Sequence, residues 1–383
     1  MVLLASVALS ATGCGAGDDS SGARATGAWH TLPEAPLSPR DDAVVVGVGG
    51  QVLVVGGWEF LCPPMADCAL PEAPLLDDGA VYDPAADAWR PISPPPFGVR
   101  ATSHDTTAVG DTAYLLTGCA AGPDCGGPLR LLSYDLTADR WDDRGRVPGD
   151  ERYRQVTAAG RDLVVYAGSD EHGEVPDLAY DPARSSWSRL PDDPLPRTFD
   201  RFVVPVGDQL VLAGSPTAGV DAGKNPPKLA ARYDLGHEAW TRLPDAPGPG
   251  YQLFPGDGGP VLDGHFGESP GWVLDPGTWT WSPLPDEGGG HDNVSGVLER
   301  DGAVYDLPGS AGSVASGDVY VYDSTALTFV AVPAPPDRED VYDDSSTALG
   351  RDLVVFGGQR WSGGGAGDGE LVADARLWTA PAR

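Results

Sequence analysis

The chain has 383 residues, 52 of them glycine, and 25 basic side chains against 56 acidic ones leave a formal net charge of −31. A surface this negative repels phosphate backbones and anionic lipid headgroups, which argues against nucleic acid as a partner and against membrane contact through the folded surface. At this length one ordinary compact domain is too small a description, and repetition of a smaller unit resolves the tension.

In chain order, Met1 to Ala11 form a short apolar run, too short to span a bilayer as a folded helix and of the length expected for the core of a secretory signal. It ends in Ala11-Thr12-Gly13-Cys14, and a Gly/Ser/Asp stretch continues to Gly27, so residues 1–27 read as signal and tether. The end of the run resembles a bacterial lipobox, in which small residues precede a lipid-bearing Cys. That resemblance implies lipidation of Cys14 and a protein held to the outer side of a membrane only by its anchor. The alternatives are a plain secretory leader, which also implies export, or a chance Cys.

Beyond Gly27 one unit recurs. A tyrosine is followed seven residues later by tryptophan at Tyr82 and Trp89, Tyr134 and Trp141, Tyr180 and Trp187, and Tyr233 and Trp240, with apolar variants at Leu274 and Trp281 and at Tyr322 and Phe329. Asp follows the first residue of each pair, at Asp83, Asp135, Asp181, Asp234, Asp275 and Asp323. Before each pair stand a Pro-rich turn, a segment often opening with Arg, a Gly-Asp or Arg-Asp turn, and an aliphatic run ending in Gly, as in Val52 to Gly57 and Leu353 to Gly358. Short β-branched runs bounded by turn residues read as strands, and no stretch keeps a helical period. Each unit therefore holds four strands: a after the Pro turn, b ending in Gly, c ending in Tyr-Asp, and d carrying Trp. Fixed internal spacing inside units of unequal length marks a repeat architecture with variable loops.

Counting gives seven b strands and seven c strands but only six d strands after a c strand. The missing one has its text at the front, in Ala28-Trp-His-Thr-Leu-Pro33. Pairing Trp29 with the last sheet removes an exposed edge. The Gly-ended b strand and the Tyr-x6-Trp pair resemble kelch repeats. The resemblance implies an all-β fold, a seven-bladed kelch-type β-propeller of four-stranded antiparallel blades, its ring closed by the N-terminal strand in the last blade. The blades fall at about 40–92, 98–144, 152–190, 197–243, 250–284, 291–332 and 338–379, the last completed by 28–33, all within a region 28–383.

The four cysteines after Cys14 fall in two local pairs, Cys62 with Cys68 and Cys119 with Cys125. Such pairs read as loop-stapling disulfides in an oxidising compartment. A four-cysteine zinc site is the competing reading, although zinc sites favour tighter spacing.

In a propeller of this kind the d-to-a and b-to-c loops share one face around the central channel. The d-to-a turns supply Arg40, Arg100, Arg152, Arg197 and Arg338, followed closely by His104, His291 and Tyr342 among several carboxylates. Cations around a small mouth suit an anionic or hydroxyl-rich ligand, Arg offering forked donors. The alternative is that each Arg pairs with an Asp of the adjacent blade and only tiles the ring. Loop one offers Trp58 and Phe60 and loop seven Arg360 and Trp361; ring closure makes them neighbours. Together they form either an aromatic and basic patch for a sugar or a protein partner, or a set of rings folded inward over the sheet edge. Two enzyme types follow from the resemblance. Propellers resembling galactose oxidase hold copper with two Tyr and two His, one Tyr being cross-linked to a Cys; His104, His291, Tyr153 and Tyr251 lie near suitable faces, but no spare cysteine remains if both pairs are disulfides. Propellers resembling sialic-acid epimerases use Arg and acidic groups at the mouth. The expectation carried forward is a monomeric binding module for a protein or glycan ligand, with no cofactor and no metal, and a carbohydrate-active enzyme as the alternative.

Overall fold

A computed structural model describes residues 27–382 apart from 64–65, 67, 69–73, 101–105, 118–127, 150–153, 219–225, 265–270, 286–293, 306–318, 339 and 363–367. Among the described residues the secondary structure is entirely β. Seven sheets have four strands each and one has three.

Sheet I consists of Val44–Val48, Gln51–Val55, Gly79–Asp83 and Ala88–Pro91 in that order. Sheet II is Thr106–Val109, Thr112–Thr117, Arg130–Asp135 and Arg140–Arg146, and sheet III is Arg154–Ala159, Asp162–Ala167, Leu178–Asp181 and Ser186–Arg189. Sheet IV runs Thr198–Val206, Gln209–Pro216, Leu229–Asp234 and Ala239–Arg242, and sheet V runs Leu253–Phe254, Val261–Leu262, Trp272–Asp275 and Thr280–Pro283. Sheet VI holds Val294–Leu298, Ala303–Tyr305, Val319–Asp323 and Thr328–Val332, and sheet VII holds Ser345–Leu349, Asp352–Phe356, Ala375–Thr379 and Ala28–Thr31. The front strand lies antiparallel on the last one, with Trp29 opposite Trp378 and His30 opposite Leu377.

The apolar runs are continuous rather than alternating because both faces of each sheet are covered. In sheet I, Val44, Val46, Leu53 and Val55 pack with Ala113, Leu115 and Tyr134 of sheet II. The intervening Val45, Val52 and Val54 pack with Val354 and Phe356 of sheet VII. The same arrangement joins II to III, III to IV, IV to V, V to VI and VI to VII. Each fully buried Val or Leu in these layers contributes about 1.5–3 kcal/mol of hydrophobic stabilisation.

The recurrent Tyr, Asp and Trp each have a mechanical task. Tyr82 lies opposite Trp89, Tyr134 opposite Trp141, Tyr180 opposite Trp187 and Tyr233 opposite Trp240, with ring centroids 5.2, 4.9, 4.7 and 5.1 Å apart. The Asp after each Tyr accepts backbone N–H groups two or three residues on, as Asp83 does from Ala85 and Asp234 from Gly236 and His237. That side chain closes the c-to-d turn, whose last residue is left-handed at Asp87, Asp139, Ser185 and Glu238. The indole N–H reaches the turn that follows the preceding sheet: Trp89 donates to Pro33 O, Trp141 to Ser93 O, Trp240 to Pro191 O and Trp281 to Pro244 O. Trp29 does the same to Pro333 O at 2.6 Å, so the front strand carries the seam that the other d strands carry.

Sheet VI departs from the expected a-b-c-d order and from a purely antiparallel blade. Val294–Leu298 takes the inner place and runs parallel to Val319–Asp323, while Ala303–Tyr305 becomes the edge. Val297 and Leu298 are fully buried, whereas Ala303–Tyr305 is only half buried, so the more apolar segment sits between two strands. The loop after the b strand of sheet VII also differs from expectation. Gln359–Trp361 pairs with Val341–Tyr342 and Gly369–Leu371 as a separate three-stranded sheet.

Candidate functional site

Most of the buried cations are structural. Arg40 is completely buried; Nη1 donates to Gly56 O at 3.0 Å, and the two Nη groups meet both oxygens of Asp78 at 2.6 and 3.0 Å. Arg338 repeats the arrangement, with Gly357 O and Asp374 Oδ1 each at 2.7 Å and Asp344 Oδ2 at 3.3 Å. Asp78 and Asp374 both stand immediately before strand c, as does Asp177 of sheet III. There the guanidinium comes from Arg201 of sheet IV, which meets Ala167 O at 3.0 Å and Asp170, Asp177 and Asp193 at 3.0, 3.1 and 3.1 Å. A planar five-donor fork satisfies a strand-end carbonyl and a carboxylate together, which Lys cannot do. Arg40 and Arg338 therefore hold their own sheets rather than tiling one blade to the next, while Arg201 bridges two.

Sheet IV reverses the charge at the position before strand c, where Lys228 stands. Its Nζ donates to Asp200 O at 2.9 Å and lies 4.0 Å from the Asp200 carboxylate. Burial holds its pKa down to about 8 against the pull of Asp200 and Asp263. Sequence reasoning places Arg201 among the charged groups after the d-to-a turns, where the structure makes it a framework bond. It missed Lys228, which was detectable, because Lys228 fills the slot occupied by Asp in sheets I, III and VII.

The expected ligand-contacting residues divide into three groups. His104, Arg152 and His291, together with Tyr153, Cys14, Cys119 and Cys125, lie outside the described residues. Arg197 is exposed near Glu174, far along the sequence from the others, at the start of sheet IV. The remainder gather where sheets VII and I meet. Arg100 lies 4.7 Å above the Trp58 ring and 3.7 Å from an Asp42 oxygen. Trp58 and Trp361 are both folded inward and buried, and Phe60 tilts against Trp58 at 5.1 Å. Arg360 is half buried between Asp340 at 3.3 Å and Glu370 at 3.0 Å. Tyr342 is half buried opposite Gln359. Cys62 and Cys68 are disulfide-bonded with Cα atoms 5.9 Å apart.

Gln359, which the sequence did not single out, links these parts. It accepts the Cys62 N–H at 2.8 Å and donates to Asp41 Oδ2 at 2.6 Å. Asp41 in turn exchanges two backbone hydrogen bonds with Trp58, both 3.0 Å. Burial, reinforced by the neighbouring Asp42 and Asp343 charges, pushes the Asp41 carboxyl up to about 8. Asp343 rises to about 6 for the same reasons, burial first and then Asp42 and Asp344. Asp42 is raised by burial, opposed by Arg100. The junction is thus a desolvated carboxylate group with two partly exposed guanidiniums, Arg100 and Arg360, and an aromatic floor.

A separate cavity of about 290 Å³ lies between the a strands of sheets II to V and Val304 of sheet VI. Its wall is largely apolar, with Thr106, Thr107, Thr157 and Gln252 as the polar exceptions. Among the described residues no group of three His, Cys, Asp or Glu is arranged to hold a metal ion.

Comparison with known proteins agrees with this architecture. Residues 39–96 match the kelch motif. The chain is 25% identical over 206 residues to an N-acetylneuraminate epimerase of Haemophilus influenzae, covering 44% of this chain and 52% of that protein. It is 26% identical over 298 residues to the kelch-like protein terF of Aspergillus terreus, covering 74% of this chain and 61% of that protein. Human kelch-like protein 34 is 27% identical over 235 residues, 57% of this chain and 33% of that protein. The chain thus spans about half to three fifths of the length of the first two relatives. The matched motif, these relatives and the recurrent four-stranded sheets together support a kelch-repeat family for this chain.

Proposed function

We propose that the seven four-stranded sheets are the blades of one closed seven-bladed propeller that serves as an exported binding module. Its ligand, a protein or a glycan, meets the loop face at the junction of sheets VII and I. The observation that carries this reading is the contrast among the arginines. Arg40 and Arg338 are consumed by framework bonds, whereas Arg100 lies partly exposed on an aromatic ring with a loose carboxylate partner. The kelch motif at residues 39–96 suggests a protein-binding propeller, and because a fold alone does not fix function, the site has to decide between a partner and turnover. Export rests on the apolar N-terminal run, anchoring on Cys14, and the Cys62–Cys68 bond suits an oxidising compartment.

The test uses the full chain and its Tyr342→Ala and Arg100→Ala variants on a glycan array and in cross-linking to intact cells of its own source. Binding that both variants change supports the face; binding that neither changes places the ligand elsewhere. Anchoring is checked separately, since Cys14→Ala is expected to move the protein from the membrane fraction to the soluble one.

A second reading is favoured by one observation, the similarity to an N-acetylneuraminate epimerase. It makes the chain an enzyme acting on a sugar at the channel mouth. Proton NMR of N-acetylneuraminate with the protein decides it: accelerated exchange between anomers supports the enzyme, and an unchanged rate removes it.

A further inference from the structure

The cavity of about 290 Å³ lies apart from the junction of sheets VII and I, and none of its described lining residues belongs to those two sheets. Residues 156–158, 202–205 and 252–255 line it consecutively. Successive side chains of a strand point to opposite faces of its sheet, so unbroken runs mean that these strands meet the cavity edge-on. The a strands of sheets II to V each stand first in their sheet and pair on one side only. Alternate residues of such an edge turn their N–H and C=O groups away from the neighbouring strand, here toward the cavity. The space opens where two edges are short. Sheet V begins with the two-residue Leu253–Phe254, followed by Pro255, and sheet VI places the three-residue Ala303–Tyr305 at its edge.

A second, independent observation concerns Gln252, which is only 8% exposed and lines the cavity. Its backbone is satisfied by Asp263, which accepts the Gln252 N–H at 2.7 Å and donates its own N–H to Gln252 O at 3.0 Å. The side-chain amide has no partner among the described residues, and neither have the hydroxyls of Thr106, Thr107 and Thr157 on the same wall. A buried amide without a partner is costly, so an occupant that offers both donors and acceptors is favoured over an apolar one.

Charge and size narrow the occupant further. No charged side chain is among the described lining residues, although the chain carries a net charge of −31. An ionised ligand would be desolvated there without a counter-charge, which excludes acids and amines. The volume is about twice the roughly 150 Å³ that takes benzene, which corresponds to about twelve non-hydrogen atoms, the size of one hexose ring.

We infer that this cavity is a binding site for a single uncharged, hydroxyl-rich ring of hexose size, its hydroxyls meeting Gln252, the three threonines and the strand edges while its carbon face lies on the apolar wall. The site is separate from the loop face and does not rest on that reading. It also differs in charge preference from a site for N-acetylneuraminate, which carries a carboxylate.

NMR titration of the full chain compares glucose, galactose and mannose with glucuronate, glucosamine and cyclohexanol. At least one neutral hexose is expected to bind with a Kd of about 1 mM, and the charged sugars and cyclohexanol at least about tenfold more weakly. Gln252→Met keeps the side-chain volume and weakens hexose binding about tenfold, while Thr157→Val, which removes one hydroxyl, weakens it about threefold. Because the amide has no protein partner, the sugar-free Gln252→Met protein unfolds no earlier than wild type; a Tm lowered by more than about 3 °C reveals a framework role and overturns the inference. Arg100→Ala leaves hexose binding unchanged. Binding lost in Arg100→Ala but kept in Gln252→Met moves the sugar to the junction, which overturns this inference and supports the loop-face reading. Absence of hexose binding at about 50 mM leaves the cavity to water and overturns it too, as does charged-sugar binding equal to that of the hexoses.

Discussion

Replacing Arg201 by Met tests whether the buried guanidinium that bridges sheets III and IV, rather than the aromatic contacts alone, holds these two sheets together. The substitution keeps most of the side-chain volume and removes one cation from Asp170, Asp177 and Asp193, which are 7%, 8% and 13% exposed. Stripping one partner from a buried ion pair costs about 3–5 kcal/mol, because the other charges stay desolvated. With an unfolding entropy of about 2.1 cal/mol/K per residue, 4 kcal/mol lowers Tm by about 5 °C in a chain of 383 residues. The pH dependence has a definite sign. Asp177 is already raised by burial and held back by Arg201, so removing Arg201 raises it further. A carboxyl whose folded pKa exceeds its unfolded value favours the fold at low pH and loses that advantage as pH rises through the folded pKa. The gap between wild type and Arg201→Met is therefore widest at neutral and alkaline pH and narrows toward pH 4. Calorimetry between pH 4 and 8 measures it, with Arg189→Met as the control. Arg189 and its partner Asp192 are 59% and 80% exposed, and such surface pairs contribute about 0–1 kcal/mol. A loss below about 1 kcal/mol at Arg201, or a gap independent of pH, refutes the reasoning.

Gly57→Ala is expected to cost about 2–4 kcal/mol, since φ is +89° and the added Cβ meets Asp41 O at 2.5 Å; chemical denaturation reads the change. Lys228→Met is expected to stabilise the fold at pH 7 by on the order of 2 kcal/mol. The folded pKa of about 8 lies below the unfolded value, so the stability this group contributes is present at high pH and lost as pH falls through about 8; the gain should shrink above pH 10, and a gain that persists there contradicts this account. Trp29→Ala removes the bond to Pro333 O and part of an aromatic contact layer, about 2–3 kcal/mol. Hydrogen exchange should then quicken at Leu377 and Trp378, the register partners of His30 and Trp29, and unchanged protection there would show that the front strand does not secure the last sheet.

The sequence by itself determined the repeating unit, because that unit is local. Tyr, Asp and Trp at fixed spacing are a cross-strand pair and the turn that joins it, and all the atoms involved lie within about ten residues. It also placed Trp29 beside Trp378, since a d strand without its c strand at one end and the reverse at the other leaves one economical pairing. The order of strands in sheet VI escaped it: which of two adjacent apolar segments sits inside depends on how much of each its neighbours can cover. At the candidate site the residue types were legible and their engagement was not. Arg40, Arg338 and Arg100 look alike in the chain, yet the first two meet an Asp just ahead of strand c and are buried, while the third crosses to the neighbouring sheet and lies on Trp58. Gln359, remote from Asp41 in the chain, is joined to it by one hydrogen bond of 2.6 Å. Only the tertiary structure decided these matters, because desolvation and charge coupling depend on distances through space, and those distances are set by sheets packing on one another rather than by sequence spacing.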